Sequence, residues 1–161
     1  MFILKKVYCR IFQKVFRIAL PLLPYREPEI LESIELIPEV VVKNGCKKPI
    51  IVTDKGIVNL GLIDSLVEAL KKSEIPFAIY DETVPNPTTD NVAKAYDLYK
   101  KENCDCLIAF GGGSSMDCAK ALGVQIVYPK KTLGQLKGIL KVHKKLPLLI
   151  AIPTTAGTGS E

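Results

Sequence analysis

The chain has 161 residues, 22 Lys+Arg against 17 Asp+Glu, and a formal net charge of +5. Lys5, Lys6, Arg10, Lys14 and Arg17 supply that excess within residues 1–25, where no acid occurs, and beyond them the two signs cancel. A nucleic-acid-binding domain spreads basic charge over a face of its fold, so nucleic acid is excluded as a partner of the body; with 48% hydrophobic residues, disorder is excluded too.

Residues 2–20 have helical periodicity. Leu4, Tyr8, Ile11, Val15 and Ile18 fall on one stripe and Lys6, Arg10, Lys14 and Arg17 on another. The spacing predicts an amphipathic basic helix ended by Pro21 and Pro24. Its charges are interleaved and no small-residue cleavage site follows, so it is not a signal peptide. It is too interrupted to span a bilayer. Packing on its own domain or on a partner is the favoured role, ahead of peripheral membrane contact through residues 2–20. The Pro-rich stretch Pro21–Pro28 is a linker, which divides the chain into an N-terminal extension, 1–25, and a domain, 26–161.

Residues 29–44 read as mostly helical, interrupted at Pro38. Pro49–Thr53 is a short β-branched run, hence a buried strand. Residues 58–73 place Leu60, Ile63, Leu66, Val67 and Leu70 at helical spacing. Phe77–Tyr80 is a second strand. A helix opens at Pro87-Thr88-Thr89, runs to about Glu102, and turns Val92, Ala95, Tyr96 and Tyr99 inward. Cys106–Phe110 is a third strand, stopped at Gly111-Gly112-Gly113. A helix from Ser115 to about Val124 follows, then a Lys-rich connection with a short helix near Thr132, and a strand at Leu148–Ile152. Short apolar strands separated by helices predict an α/β fold, a parallel-sheet Rossmann-like nucleotide-binding domain.

Five cysteines, Cys9, Cys46, Cys104, Cys106 and Cys118, include no CxxC pair. That predicts no disulfide framework and no structural zinc site, and points to a reducing, cytoplasmic setting. Cys104 and Cys106 flank Asp105 in what reads as strand, so they are expected on one sheet face. His143 is the single histidine, in a basic surface stretch.

Ligands of open α/β sheets bind at the carboxyl ends of strands, and three strand ends here carry unusual residues. After the third strand, Gly111, Gly112 and Gly113 let backbone N–H groups approach an anion, and the helix start adds unpaired donors suited to a pyrophosphate. Ser114 is expected to cap that helix with Asp117 as capping-box partner; a tight turn alone is the structural alternative. The pattern is neither GxGxxG nor a P-loop. After the first strand stands Asp54, whose carboxylate can accept both hydroxyls of an adenosine ribose and repel a 2′-phosphate, or simply cap a helix. After the last strand comes a small, hydroxyl-rich segment with Thr154, Thr155 and Thr158.

Ile51-Val52-Thr53-Asp54, Val84-Pro85-Asn86-Pro87-Thr88, Gly111–Asp117 with Lys120, and Pro153–Glu161 stand in that order. Together they resemble the iron-containing (group III) alcohol dehydrogenase family, within the dehydroquinate synthase-like superfamily. The likeness runs from about Lys47 to Glu161. Asn86-Pro87-Thr88 and the Gly157–Glu161 ending favour the alcohol dehydrogenases over a glycerol dehydrogenase-like domain.

The resemblance implies the family's N-terminal NAD-binding domain. By that analogy Asp54 holds the adenine ribose, and Asn86 and Pro87 shape the adenosine end. Gly111, Gly112, Gly113 and Ser114 bind the pyrophosphate, Asp117 lies near the nicotinamide half, and Thr154, Thr155 and Thr158 approach the phosphates and nicotinamide. Lys120 supports the helix. Pro87 also fits as a first-turn proline.

Family members continue into an all-helical domain whose one Asp and three His hold iron or another divalent metal. Those positions have no counterpart here, so no metal ligand and no catalytic residue is assigned. The expected activity is hydride transfer between a primary alcohol or aldehyde and NAD, with this chain supplying the cofactor-binding half. A truncated product, a fragment, or half of a split enzyme with a separately encoded C-terminal half fits this pattern. A non-catalytic nucleotide-binding remnant is the alternative.

Overall fold

In the computed structural model the described residues are 9–11, 13–15, 17, 28–138 and 141–160. The chain divides into two compact units, Met1–Ile30 and Leu31–Glu161. In the first, the described residues between 9 and 17 are helical, and Arg10, Ile11, Lys14, Val15 and Arg17 are all exposed. The remaining residues of the expected N-terminal helix, and Pro21 and Pro24, lie outside the described residues.

The second unit is built on four parallel strands: β1 (Pro49–Val52), β2 (Ala78–Tyr80), β3 (Cys106–Gly111) and β4 (Leu149–Pro153). Their order is β2-β1-β3-β4. In β1, Ile50 and Val52 point to one face and Ile51 to the other, as strand period requires. Leu107 and Ala109 of β3 share the first face. There they pack with Val92 and Ala95 of α4 (Thr89–Lys101) and Met116, Ala119 and Leu122 of α5 (Gly113–Val127). Ile51, Ile108 and Phe110 share the second face. They meet Ile37 and Val41 of α1 (Ile37–Lys43), Ile57 of α2 (Lys55–Asn59), and Leu66 and Leu70 of α3 (Asp64–Lys72). Both faces of β1 and β3 are therefore covered, which is why these strands read as unbroken apolar runs.

Several local expectations are corrected. Pro38 opens α1, standing in its first turn where its missing N–H costs nothing. Residues 58–73 are two helices, because Gly61 takes φ +68°, and its N–H and that of Leu62 close back onto Val58 and Ile57. Cys104 precedes β3 and belongs to the first-face core, whereas Cys106 belongs to the second. Pro87 stands ahead of α4, outside its first turn. Thr88 is the N-cap, forming a capping box with Asn91. The short helix in the Lys-rich connection is a 3₁₀ turn, Leu133–Leu136. Among the described residues no helix is long and apolar enough to cross a membrane.

Candidate nucleotide site

Strand order reverses between β1 and β3, since the chain passes from β1 outward to β2 and then crosses to the other side of β1. At such a switch point the loops leaving adjacent strands part and open a crevice. Asp54 leaves β1 there, and the glycine turn leaves β3. A cavity of about 920 Å³ lies at this edge, and Asp54, Gly112, Gly113, Ser114, Thr154, Thr155 and Thr158 all line it. Gly111, Asn86, Pro87 and Asp117 are not among its lining residues, and Asp117 is exposed on α5.

The glycine turn is shaped by close approach. Gly111 has φ +143°, and a Cβ there would lie 2.5 Å from Ser115 Oγ. A Cβ on Gly112 would lie 3.3 Å from Thr155 Oγ1, and one on Gly113 3.2 Å from Thr158 Cβ. The hydroxyl-rich segment thus lies directly over the start of α5. Hydrogen bonds tie it there: Thr154 N–H donates to the Gly111 carbonyl at 2.9 Å, and Lys120 Nζ donates to the Ser160 carbonyl at 2.7 Å. Lys120 therefore ties the loop to the helix it stands on.

The N-cap of α5 is Gly112, and no side chain caps this helix. Ser114 does not cap it with Asp117. Its Oγ instead accepts from the Asn86 N–H at 3.3 Å, linking the glycine turn to the β2–α4 connection, where Asn86 holds φ +55°. An uncapped helix start leaves its first N–H groups available to an anion. Ser115 Oγ, buried at the cavity, has no hydrogen-bond partner among the described residues. These features fit a bound diphosphate.

Asp54 caps α2 through Oδ1, which accepts from the Ile57 N–H at 3.1 Å. Its other oxygen lies toward the glycine turn, 3.6 Å from where a Gly111 Cβ would stand. Capping and ligand binding are therefore compatible, one oxygen serving each. The ionisable lining residues are Asp54, Asp81 and Glu82 against Lys55 and Lys94. Carboxylates outnumber lysines, so anion affinity must come from the backbone amides of α5.

Spacing along the chain did not single out Thr83, Asn91 or Lys94, which also line the cavity. Asn91 Nδ2 donates to the Glu82 carbonyl at 3.0 Å and to Tyr80 Oη at 3.3 Å, tying α4 to the end of β2. Lys94 pairs with Glu82 at 2.9 Å, which holds the Glu82 carboxyl below its usual range. Asn91 and Lys94 stand three residues apart, on one face of the helix that follows β2 after a connecting segment. That signal was present in the sequence.

The single histidine, His143, is exposed, and its backbone N–H donates to Tyr128 Oη at 2.8 Å. It is not part of this cavity, and no His-rich ligand set can form around it. The residues of this chain do not fit the catalytic metal that the sequence resemblance implies.

Residues 31–161 match the sequence model of the family described as iron-containing alcohol dehydrogenase. A choline dehydrogenase of Bacillus subtilis is 43% identical over 125 residues, covering 76% of this chain and 31% of that protein. The solved structure of a 1,3-propanediol oxidoreductase superposes with a TM-score of 0.76 at 35% identity, covering 81% of this chain and 34% of the other. A sulfoacetaldehyde reductase from Bifidobacterium kashiwanohense, solved in complex with NAD+, superposes with a TM-score of 0.69 at 29% identity, over 80% of this chain and 34% of the other. The chain spans about a third of the length of the relatives it matches.

Proposed function

The chain belongs to the iron-containing alcohol dehydrogenase family, and from that premise we propose that it is the NAD-binding part of an enzyme that moves hydride between a primary alcohol or aldehyde and NAD. One observation carries the proposal: Asp54 and Gly112 of the uncapped glycine turn, 58 residues apart in sequence, line one cavity at the switch point of the sheet. When bound, NAD supplies the hydride acceptor, C4 of its nicotinamide.

The chain's own residues bind and orient. The N–H groups at the start of α5 hold the pyrophosphate, with Gly112 and Gly113 keeping side chains out of its way. The free oxygen of Asp54 accepts the ribose hydroxyls and disfavours a 2′-phosphate. Asn86, tied to Ser114, fixes the adenosine end together with Pro87. Thr154, Thr155 and Thr158 close over the phosphates, and Asp117 stands beyond them on α5. These 161 residues hold a single histidine and offer no His-rich ligand set for a metal that would polarise the substrate oxygen. A separately encoded C-terminal half is a partner that would complete the site. The same reading places the protein in the cytoplasm, with residues 1–25 as an extension that packs on a partner in preference to a membrane surface.

Calorimetric titration of NAD tests the assignment. Wild type binds, and Asp54→Ala and Gly112→Val weaken binding; unchanged affinity in both refutes it. A second reading is a nucleotide-binding module without catalysis of its own, since these 161 residues carry only one histidine. Alcohol-dependent NADH formation by the purified chain alone would exclude that reading.

A further inference from the structure

At the opposite edge of the sheet from the nucleotide cavity, the structure gathers three metal-ligating groups. Cys46 Sγ, Cys106 Sγ and a carboxylate oxygen of Asp105 all lie within 4.8 Å of one another. Cys106 opens β3, and Gly111 at its far end belongs to the nucleotide edge. Five residue steps at strand rise separate the two by roughly 17 Å. The two sites share no side chain.

Each group is held by rigid backbone. The C-terminal turn of α1 closes through the Gly45 N–H to the Val42 carbonyl at 2.8 Å and the Cys46 N–H to the Val41 carbonyl at 3.0 Å, which sets the position of Cys46. Asp105 accepts from the Lys47 N–H at 2.7 Å on Oδ2 and from the Lys48 N–H at 3.0 Å on Oδ1. Its own N–H donates to the Lys48 carbonyl at 3.0 Å. Each carboxylate oxygen keeps a second lone pair. Cys106 is fully buried in β3, whereas Cys46 and Asp105 are half-buried.

We propose that Cys46, Asp105 and Cys106 form a site for a thiophilic divalent cation of the zinc class, with water as the fourth ligand on the half-buried Cys46 side. Two sulfurs and one oxygen do not suit magnesium or calcium, which require mostly oxygen ligands. They do suit tetrahedral zinc, with Zn–S of about 2.3 Å and Zn–O of about 2.0–2.2 Å. Ligands on such a tetrahedron stand about 3.5–3.8 Å apart, so the present spread closes with movements of no more than about 1 Å. Coordination converts two thiols to thiolates and releases two protons to solvent, with no change of oxidation state. The bound ion would fasten the α1–β1 turn to the start of β3. The site differs in place and ligands from the family's His-rich metal centre.

The test uses the 161-residue chain, reduced and stripped of metal, titrated with cadmium while the thiolate-to-cadmium charge-transfer band is followed. Zinc competition then gives the zinc affinity. One cation per chain is expected. Cys46→Ser and Asp105→Asn should each lower affinity by at least about 100-fold, the upper end of what losing an outer-sphere partner costs. Cys9→Ser, at an exposed cysteine, should leave it unchanged. Cys46 is the thiol to replace because, unlike Cys106, it is not in the core, and a matching circular dichroism spectrum will establish that the variant is folded. Binding that survives both Cys46→Ser and Asp105→Asn, binding lost with Cys9→Ser, absence of stoichiometric binding, or a Cys46–Cys106 disulfide forming in its place would each overturn the proposal.

Discussion

Gly111→Ala probes the geometry on which the nucleotide site depends. At φ +143° an alanine carries strain of about 1–3 kcal/mol. Its methyl would also sit 2.5 Å from Ser115 Oγ and 3.1 Å from Ser115 Cβ, and overpacking of that kind costs about 1–3 kcal/mol. The sum is about 2–6 kcal/mol, a large part of an ordinary domain's stability. Ser115→Ala alone should change little, because that hydroxyl is buried without a hydrogen-bond partner among the described residues. In the double variant the closest contact is gone but the backbone strain stays. The pair should therefore show a coupling energy of about 1–2 kcal/mol, within the range for residues in contact. Urea denaturation of the four proteins, read by linear extrapolation, measures it. A Gly111→Ala cost below about 0.5 kcal/mol, the size of an ordinary surface change, would refute the close approach. So would strict additivity with Ser115→Ala. If Gly111→Ala does not fold, Gly112→Ala replaces it, against Thr155→Ala, which removes both Thr155 atoms that the new methyl would meet, Oγ1 at 3.3 Å and Cγ2 at 3.5 Å.

Asn91→Ala removes both the reciprocal cap of α4 and the tie to the end of β2. It should lower stability by about 1–3 kcal/mol in the same denaturation assay, and hydrogen exchange should rise first at residues 80–91. Burial raises the Tyr99 hydroxyl from 10.0 to about 12 and the Cys104 thiol from 9.0 to about 11. Folding thus favours the protonated forms, so their contribution is complete below pH 9 and is lost as pH rises through 9 to 12. Tyr99→Phe should flatten the upper part of that loss in alkaline melting curves, and an unchanged slope would contradict the assignment. At low pH, the Glu102 carboxyl held down by Lys48 loses its contribution as pH falls below 4.5. Lys48→Met should remove that step from an acid titration of stability.

The strands were legible because each is a short β-branched or apolar run ending in a turn residue, whereas their order, and with it the switch point, is set by strand pairing that no local run encodes. The glycine turn and Asp54 were legible for the same reason: strand ends in an open parallel sheet face one edge. Periodicity failed where the chain reversed without changing its apolar spacing. Leu60 and Ile63 fit one helical stripe, yet Gly61 separates two helices and leaves Leu60 exposed. Ser114 was read as a cap because it follows the glycines, but the helix begins at Gly113, two residues before the expected Ser115, and leaves the Ser114 hydroxyl to Asn86. The grouping of Cys46 with Cys106 has no local signature. It arises because Pro49 of β1 pairs with Cys106 of β3, a contact that spacing rules for metal motifs do not anticipate.

Among the described residues the cavity carries more carboxylates than lysines, so the net charge of the chain does not account for anion binding there. Its predicted selectivity follows instead from the arrangement of backbone donors and one carboxylate. The most direct measurement is a paired titration of NAD and NADP against wild type and Asp54→Asn, which keeps the α2 cap. Wild type should bind NAD and discriminate strongly against NADP. Asp54→Asn should lose about 10-fold or more in NAD affinity, the size of a hydrogen bond to a charged group, and most of its discrimination. Equal binding of the two dinucleotides by wild type, or an Asp54→Asn variant that keeps both affinity and selectivity, would contradict the account.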